Sequence, residues 1–218
     1  MEPILRNTLT TDWITFLVIL SLIFMVLAKN VFYSRFLNFI ILPFNNKYIF
    51  MYNKKEKIMN WFNLFWGLFL IINFSLFVYL FLDVFHKTDQ ISSTLAFPWI
   101  IMALILYLFV KLGMQLGNGY IFGIQKMVTE IVFKKLSYFN YSGMIMFLAN
   151  IFLTYIFVGS KVVVYVAILL ILLINVIGWI TILRNYQKLI TSYFFYFILY
   201  LCALEIAPLI LIGSYLKD

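Results

Sequence analysis

Glu205 is the residue whose type and position are best suited to acid–base or ion chemistry. It lies in the apolar stretch 193–213, and Pro208 follows three positions later. If that stretch lies in a membrane, a charge there is costly, about 2.5–3.5 kcal/mol for Asp on insertion scales. Pro208 removes the backbone hydrogen bond to the carbonyl of Leu204, so the carboxyl would lie beside an interrupted helix. Three roles remain open: a proton relay or ion site, an anchor that hydrogen-bonds a partner helix, or a structural hydrogen bond within the chain.

Three asparagines, Asn73, Asn150 and Asn175, each lie in a different apolar stretch and could pair with Glu205. Hydrogen bonds between membrane helices are worth about 0.6 kcal/mol on average. We therefore expect the asparagines to fix helix packing instead of lining a path. Burial disfavours a charged carboxylate, so Glu205 is predicted to be neutral at pH 7 and to donate a hydrogen bond in a helix contact.

A metal or cofactor site is not expected. The chain holds one His and one Cys, which excludes a His/Cys metal cluster and a disulfide framework. His86 lies three residues from both Asp83 and Asp89, but this pattern is more typical of a solvated face than of a cation site. No phosphate loop, nucleotide fingerprint or HExxH motif is present. We therefore predict no cofactor, no enzymatic activity and no binding of nucleic acid.

The composition indicates that lipid surrounds the chain. Of its 218 residues, 65 % are hydrophobic and only 11 % are charged, whereas soluble domains contain roughly 25 % charged residues. This excludes a soluble enzyme. Aromatic residues reach 21 %, but AT-rich codons also favour Phe and Tyr, so we infer no ligand site from the aromatics.

The apolar stretches predict a single all-α membrane domain over residues 1–218. A helix crosses a bilayer with about 20 mostly apolar residues. Six candidates meet this requirement approximately: residues 13–28, 61–82, 91–110, 141–158, 162–183 and 193–213. The fourth and fifth are joined by Gly159, Ser160 and Lys161, which predicts a tight hairpin.

The distribution of basic residues predicts the orientation of these spans. Twelve of the 16 Lys and Arg residues follow spans one, three and five, whereas the opposite side holds Arg6, Lys87, Lys161 and Lys217. Basic loops stay in the cytoplasm, so both termini are predicted to be periplasmic. Glu2 and Asp12 offset Arg6, and no small-residue cleavage site follows the first apolar run. We therefore expect a retained first span and not a cleaved signal peptide.

Two amphipathic segments in the predicted cytoplasmic loops are interpreted as interfacial helices: residues 30–42, which end at Pro43, and residues 119–136. They either lie on anionic lipid or dock another protein. The basic residues predicted to face lipid on this side are Arg35, Lys54, Lys55, Lys57, Lys126, Lys134 and Lys135.

Three stretches resemble a Bacteroidota membrane-protein family, domain of unknown function 4271. They are Asp12-Trp13, residues 134–138 and residues 195–208, and the resemblance extends over nearly the whole chain. Glu205 and Pro208 coincide with the Glu and Pro of the family's last motif. The resemblance implies an inner-membrane location, and the lineage implies a connection with secretion or gliding-motility machines. It implies no activity, cofactor or catalytic residue.

Two functions are compatible with these observations. The favoured hypothesis is a non-catalytic subunit or assembly factor of a larger inner-membrane complex, with other membrane subunits and the bilayer as partners. The alternative is a small transporter or channel that uses Glu205 as a proton or ion site. Transporters are often built from matched internal repeats, but only the sixth predicted span carries a Pro in its middle, which favours the first hypothesis.

Overall fold

A computed structural model describes residues 9–45, 47–52, 60–85, 96–121 and 123–192 of the chain. In these ranges every regular element is a helix. The helices are α1 (Leu9–Val31), α2 (Tyr33–Ile40), α3 (Lys47–Tyr52), α4 (Trp61–Phe85), α5 (Ala96–Ile121), α6 (Gln125–Ile151), a π-helical turn (Phe152–Ile156) and α7 (Lys161–Ser192).

Five of these helical segments are long and apolar enough to cross a membrane: Asp12–Val31, Trp61–Phe85, Phe97–Ile121, Gln125–Ile156 and Lys161–Arg184. The all-helical class and multiple candidate spans are therefore as predicted. The sixth predicted span, residues 193–213, lies outside the described residues, as do Glu205 and Pro208.

Aromatic contacts show which helix ends lie together. At one end, the ring of Trp13 on α1 lies 5.1 Å from those of Tyr79 on α4 and Phe97 on α5. At the opposite end, the ring of Tyr48 on α3 stacks at 6.1 Å on that of Phe133, near the start of α6. Successive long helices therefore run antiparallel, and the two larger apolar clusters of the described core lie one near each end.

The prediction of a separate interfacial helix over residues 119–136 is wrong. The chain instead breaks at Gly123, whose φ of 67° is in the left-handed region that favours glycine. Residues before the break complete α5, and residues after it begin α6, which continues directly into the predicted fourth span. No Pro or Gly interrupts the chain between residues 124 and 142, so the helix has no reason to end there.

The other predicted features of the loops have clear counterparts. Residues 33–40 of the segment 30–42 form the short helix α2, which ends at a turn over residues 41–44 that contains Pro43. The predicted hairpin after the π-helical turn is tight: Gly159 has a φ of 70°, and the Ser160 amide donates to the Phe157 carbonyl at 3.1 Å. The long helices extend past several predicted ends, since α5 runs to Ile121 and α7 to Ser192.

Candidate functional site

Helix α6 contacts α4, α5 and α7 and carries the central polar groups of the bundle. Four of its neutral polar residues are buried, and we call them the α6 polar seam: Ser137, Asn140, Ser142 and Asn150. A buried polar group is costly unless it is hydrogen-bonded, and more so in a medium without water. The partners of the seam therefore show what these residues do.

Asn150 and Asn73, both predicted as polar sites within the membrane, lie against each other. The Asn150 Nδ2 atom donates to the main-chain carbonyl of Asn73 at 2.9 Å, and the Asn73 Oδ1 atom lies 3.5 Å from it. Both residues are fully buried. The Asn73 amide in turn donates to the carbonyl of Phe69 on its own helix, at 2.8 Å. This pair joins α4 to α6.

Two more hydrogen bonds join helices along the seam. The third predicted asparagine, Asn175 on α7, donates to the Ser142 hydroxyl at 3.0 Å and to the Ile171 carbonyl at 2.8 Å. The indole of Trp66 on α4 donates to the Asn140 carbonyl at 3.0 Å. The seam thus links α6 to α4 on one side and to α7 on the other.

Some buried oxygen atoms near the seam have no hydrogen-bond partner. Among the described residues these include Asn140 Oδ1, Asn150 Oδ1 and Thr154 Oγ1. The orientation of the Asn150 amide is fixed, because its nitrogen must face the Asn73 carbonyl, which can only accept. Thr154 lies in the π-helical turn that follows Asn150, and such turns occur frequently at functional sites.

Arg35 is buried, with 4 % of its surface exposed, instead of facing lipid as predicted. Its Nη2 atom donates to Tyr48 Oη at 3.4 Å and to Asn63 Oδ1 at 3.3 Å. Its guanidinium carbon lies 4.8 Å from the ring centroid of Tyr52 and 4.7 Å from that of Phe62. The reason for the difference is that a guanidinium stacks well on aromatic faces, and α3 and α4 supply them.

The aromatic rings around Arg35 were not predicted from the sequence, because the high content of aromatic residues was attributed to AT-rich codons. A usable signal was present: Tyr48 and Tyr52 are four residues apart and therefore share one face of a helix. That face follows closely after Arg35 in the chain. A cation at Arg35, followed by an aromatic helix face at Tyr48 and Tyr52, indicates the contact between the guanidinium and these rings that the structure shows.

The remaining predicted basic residues divide into several groups. Lys126 is exposed, as predicted for a surface residue, whereas Lys134 is buried with 5 % exposure. The ammonium of Lys135 lies 5.2 Å from the Trp179 ring centroid on α7. Both Lys134 and Lys135 therefore pack within the helix bundle instead of facing lipid. Lys54, Lys55 and Lys57 lie outside the described residues, as do His86 and Asp89.

This arrangement defines the class of protein: a multi-helix membrane protein, all-helical over its described residues, whose five candidate membrane spans there are joined by neutral polar contacts. The chain belongs to the family described as domain of unknown function (DUF4271), which matches residues 14–216. Comparison with curated proteins and with solved structures gives no match.

Proposed function

We propose that the chain is a non-catalytic inner-membrane subunit or assembly factor of a larger bacterial envelope complex. One observation carries this proposal: the central asparagines are engaged in contacts between helices. Asn150 holds α6 to α4, and Asn175 holds α7 to α6. Polar groups used in this way make a fixed scaffold, as a structural subunit requires.

The surface of α5 supports a partner in the membrane. Within the part of the chain that the structure describes, only 11 % of the apolar segment of α5 is buried. Gly113 and Gly117 lie four residues apart on it, and a Cβ built at either would meet no atom of the described residues within 4 Å. Small residues at this spacing allow another helix to approach closely. In this proposal the partner is a helix of another membrane subunit.

The topology belongs to the same proposal. Residues 193–213 supply a sixth span, the end of the bundle that holds Arg35, Lys126 and Lys134 faces the cytoplasm, and both termini are periplasmic. The clustering of these basic residues near one end supports this orientation. The Bacteroidota lineage that the resemblance implies suggests a secretion or gliding-motility machine as the kind of complex.

The test is affinity purification in a mild detergent from the native membrane, followed by mass spectrometry. We expect a stoichiometric membrane partner with the wild-type chain and its loss with Gly117→Leu. The matched control is Gly67→Leu on α4, where a Cβ also meets no atom within 4 Å in the described ranges, and it should retain the partner. A wild-type chain that purifies as a clean monomer or homodimer would contradict the proposal.

The second candidate is a small transporter or channel in which Glu205 is the proton or ion site. The buried oxygens Asn150 Oδ1 and Thr154 Oγ1, unpartnered beside a π-helical turn, favour it, because such atoms can bind a cation or a water molecule. Flux of protons or Na⁺ into proteoliposomes, lost in both Glu205→Gln and Asn150→Leu, would support this function. Absence of flux in the wild type would oppose it.

A further inference from the structure

The short helix α2 has two apolar faces, and one of them packs against the rest of the bundle. Phe36 and Phe39 on this inner face are buried. The Phe36 ring lies 5.6 Å from that of Trp66 on α4, and the Phe39 ring lies 5.2 Å from that of Tyr48 on α3. These contacts hold α2 to the bundle but use only part of its apolar surface.

The second apolar face is exposed, and we call it the outer stripe: Tyr33, Leu37, Ile41 and Phe44. Residues three and four apart lie on one side of a helix. The turn after α2 keeps this geometry, since the Asn45 amide donates to the Ile41 carbonyl at 2.8 Å. Phe44 is 91 % exposed, so nothing in the described part of the chain covers it. A contiguous exposed apolar patch marks a contact with lipid or with a protein.

Polar residues occupy the side of α2 between its two apolar faces. At about 100° per residue, the outer stripe fills an arc of about 80°, and Ser34 and Asn38 follow it before the buried side begins. Ser34 is exposed, and the Asn38 amide donates to its carbonyl at 2.9 Å. A helix with one side on the protein, one polar side and one exposed apolar side is suited to the boundary between hydrocarbon and water.

The contacts of α2 place it beside the membrane-spanning helices and not beyond their ends. The Phe39 ring lies 4.7 Å from that of Trp66, within the candidate span Trp61–Phe85. It also lies 5.9 Å from the ring of Tyr141, within the candidate span Gln125–Ile156. The outer stripe therefore lies at the depth of the bilayer's interfacial layer, where amphipathic helices bury their apolar side and Tyr is enriched.

The outer stripe continues the exposed apolar surface of α1. Within the part of the chain that the structure describes, only 22 % of the apolar segment of α1 is buried. Its exposed residues Ile23, Leu27 and Val31 are spaced four apart, and Val31 and Tyr33 line the same surface depression. Because a membrane-spanning helix presents such residues to acyl chains, the stripe extends a lipid-facing surface past the bend at Phe32.

We propose that the outer stripe of α2 contacts the acyl chains of the membrane leaflet at this end of the bundle, with Ser34 and Asn38 turned towards headgroups and water. The contact goes beyond the function proposed above and does not depend on a partner subunit. In this arrangement the lipid-facing residues of the segment are apolar, and α2 is held between the bundle and the bilayer.

Spin labelling of the full chain in vesicles of phosphatidylethanolamine and phosphatidylglycerol tests the surroundings of the stripe. With Cys202 replaced by Ser, the labels are attached to Leu37→Cys and Ile41→Cys, and Ser34→Cys on the polar side is the matched control. Oxygen concentrates in hydrocarbon, whereas nickel ethylenediaminediacetate stays in water. Labels at 37 and 41 should collide several-fold more often with oxygen than with the nickel complex, and the label at 34 should show the reverse. Frequent collisions of the stripe labels with the nickel complex would place the stripe in water and overturn the proposal.

Photocrosslinking in native membranes separates lipid from a protein that covers the stripe only in the cell. With p-benzoylphenylalanine in place of Ile41, we expect an adduct with the mass of a phospholipid. An adduct with a second copy of the chain or with another protein would overturn the lipid contact. The same group in place of Met114, exposed on α5, reports on the partner helix proposed above. Absence of a protein adduct at 114 counts against that function alone, so the two proposals fail separately.

Discussion

The side-chain amide of Asn150 on α6 donates to the main-chain carbonyl of Asn73 on α4, 2.9 Å away. The contact is asymmetric, because one partner is a side chain and the other is backbone. Any residue at position 73 would keep the acceptor in place, whereas the donor depends on Asn150. The two asparagines are equally buried, so their substitution separates the bond between helices from the effect of removing an amide.

We predict that Asn150→Ala destabilises the bundle more than Asn73→Ala. Both variants remove the same atoms, but Asn150→Ala removes the donor to the Asn73 carbonyl at 2.9 Å, whereas Asn73→Ala removes only the longer acceptor contact at 3.5 Å between the helices. The difference should be about 0.6–1.7 kcal/mol, the range measured for hydrogen bonds between membrane helices. Unfolding of the purified protein by sodium dodecyl sulfate measures it. Equal losses for the two variants would mean that the bond contributes nothing of its own.

A second prediction concerns Gly178, where α7 packs against α6. A Cβ at this position would lie 2.7 Å from Cγ of Tyr138, which is closer than real contacts allow. Gly178→Ala should therefore force the helices apart and cost about 1–3 kcal/mol, as overpacked cores do. Thermal unfolding in detergent would show the loss.

Two further variants control for helix propensity and for the contact itself. Gly117→Ala adds the same methyl group at a position where no atom of residues 9–192, as far as the structure describes them, lies within 4 Å, so the stability of the isolated chain should not fall. Combining Gly178→Ala with Tyr138→Leu removes the ring that the methyl group meets, and stability should partly return. Failure of this rescue would place the cause elsewhere.

The main helices could be predicted because their apolar runs are long, and that signal does not depend on the tertiary fold. Their ends were harder to predict. The third span was predicted to end at Val110, yet α5 continues past Lys111 to Ile121. The Lys111 ammonium lies 3.3 Å from the Tyr107 hydroxyl one turn earlier, so the charge is accommodated on the helix surface. The charged residue Lys111 therefore lies on the surface of a continuing helix and does not mark the end of α5.

The sequence predicts that the asparagines form hydrogen bonds between helices, but it does not predict which residues pair. Asparagines in separate apolar stretches indicate hydrogen bonds between helices, but their pairing depends on the depth and rotation of each helix. For Arg35, in contrast, even the kind of environment was predicted wrongly. It was predicted to face lipid, whereas the structure places it among aromatic rings from α3 and α4. The spacing of Tyr48 and Tyr52 indicates an aromatic helix face close to Arg35 in the chain, but the Phe62 ring of α4 reaches Arg35 only through the tertiary arrangement.

A third prediction tests the proposed orientation through α2. Ser34 is exposed and Arg35, its neighbour, is buried. With the native cysteine Cys202 replaced by Ser, Ser34→Cys should react with a membrane-impermeant maleimide added from the cytoplasmic side, whereas Arg35→Cys should react much more slowly. Alkaline phosphatase fused after Asp218 should be active, because the C-terminus is proposed to be periplasmic. Labelling of Ser34→Cys only from the periplasm would reverse the proposed topology.

The last prediction concerns Glu205, which lies outside the described residues. In the favoured hypothesis its carboxyl is neutral and donates a hydrogen bond in a helix contact. Glu205→Gln keeps a donor of similar size, so expression and assembly should be retained. Glu205→Leu removes the donor and leaves a buried acceptor unpaired, at a cost of about 1–3 kcal/mol, so assembly should weaken.

A relay or ion site predicts the opposite pattern for Glu205. Glutamine cannot release a proton, so Glu205→Gln would abolish activity while the complex still assembles. Co-purification of the partner measures assembly, and ion flux in proteoliposomes measures transport. The Gln variant is decisive because it preserves shape and donor while removing only the ability to ionise. A Glu205→Gln chain that assembles fully but has lost its function would refute the hydrogen-bond role and favour the transporter.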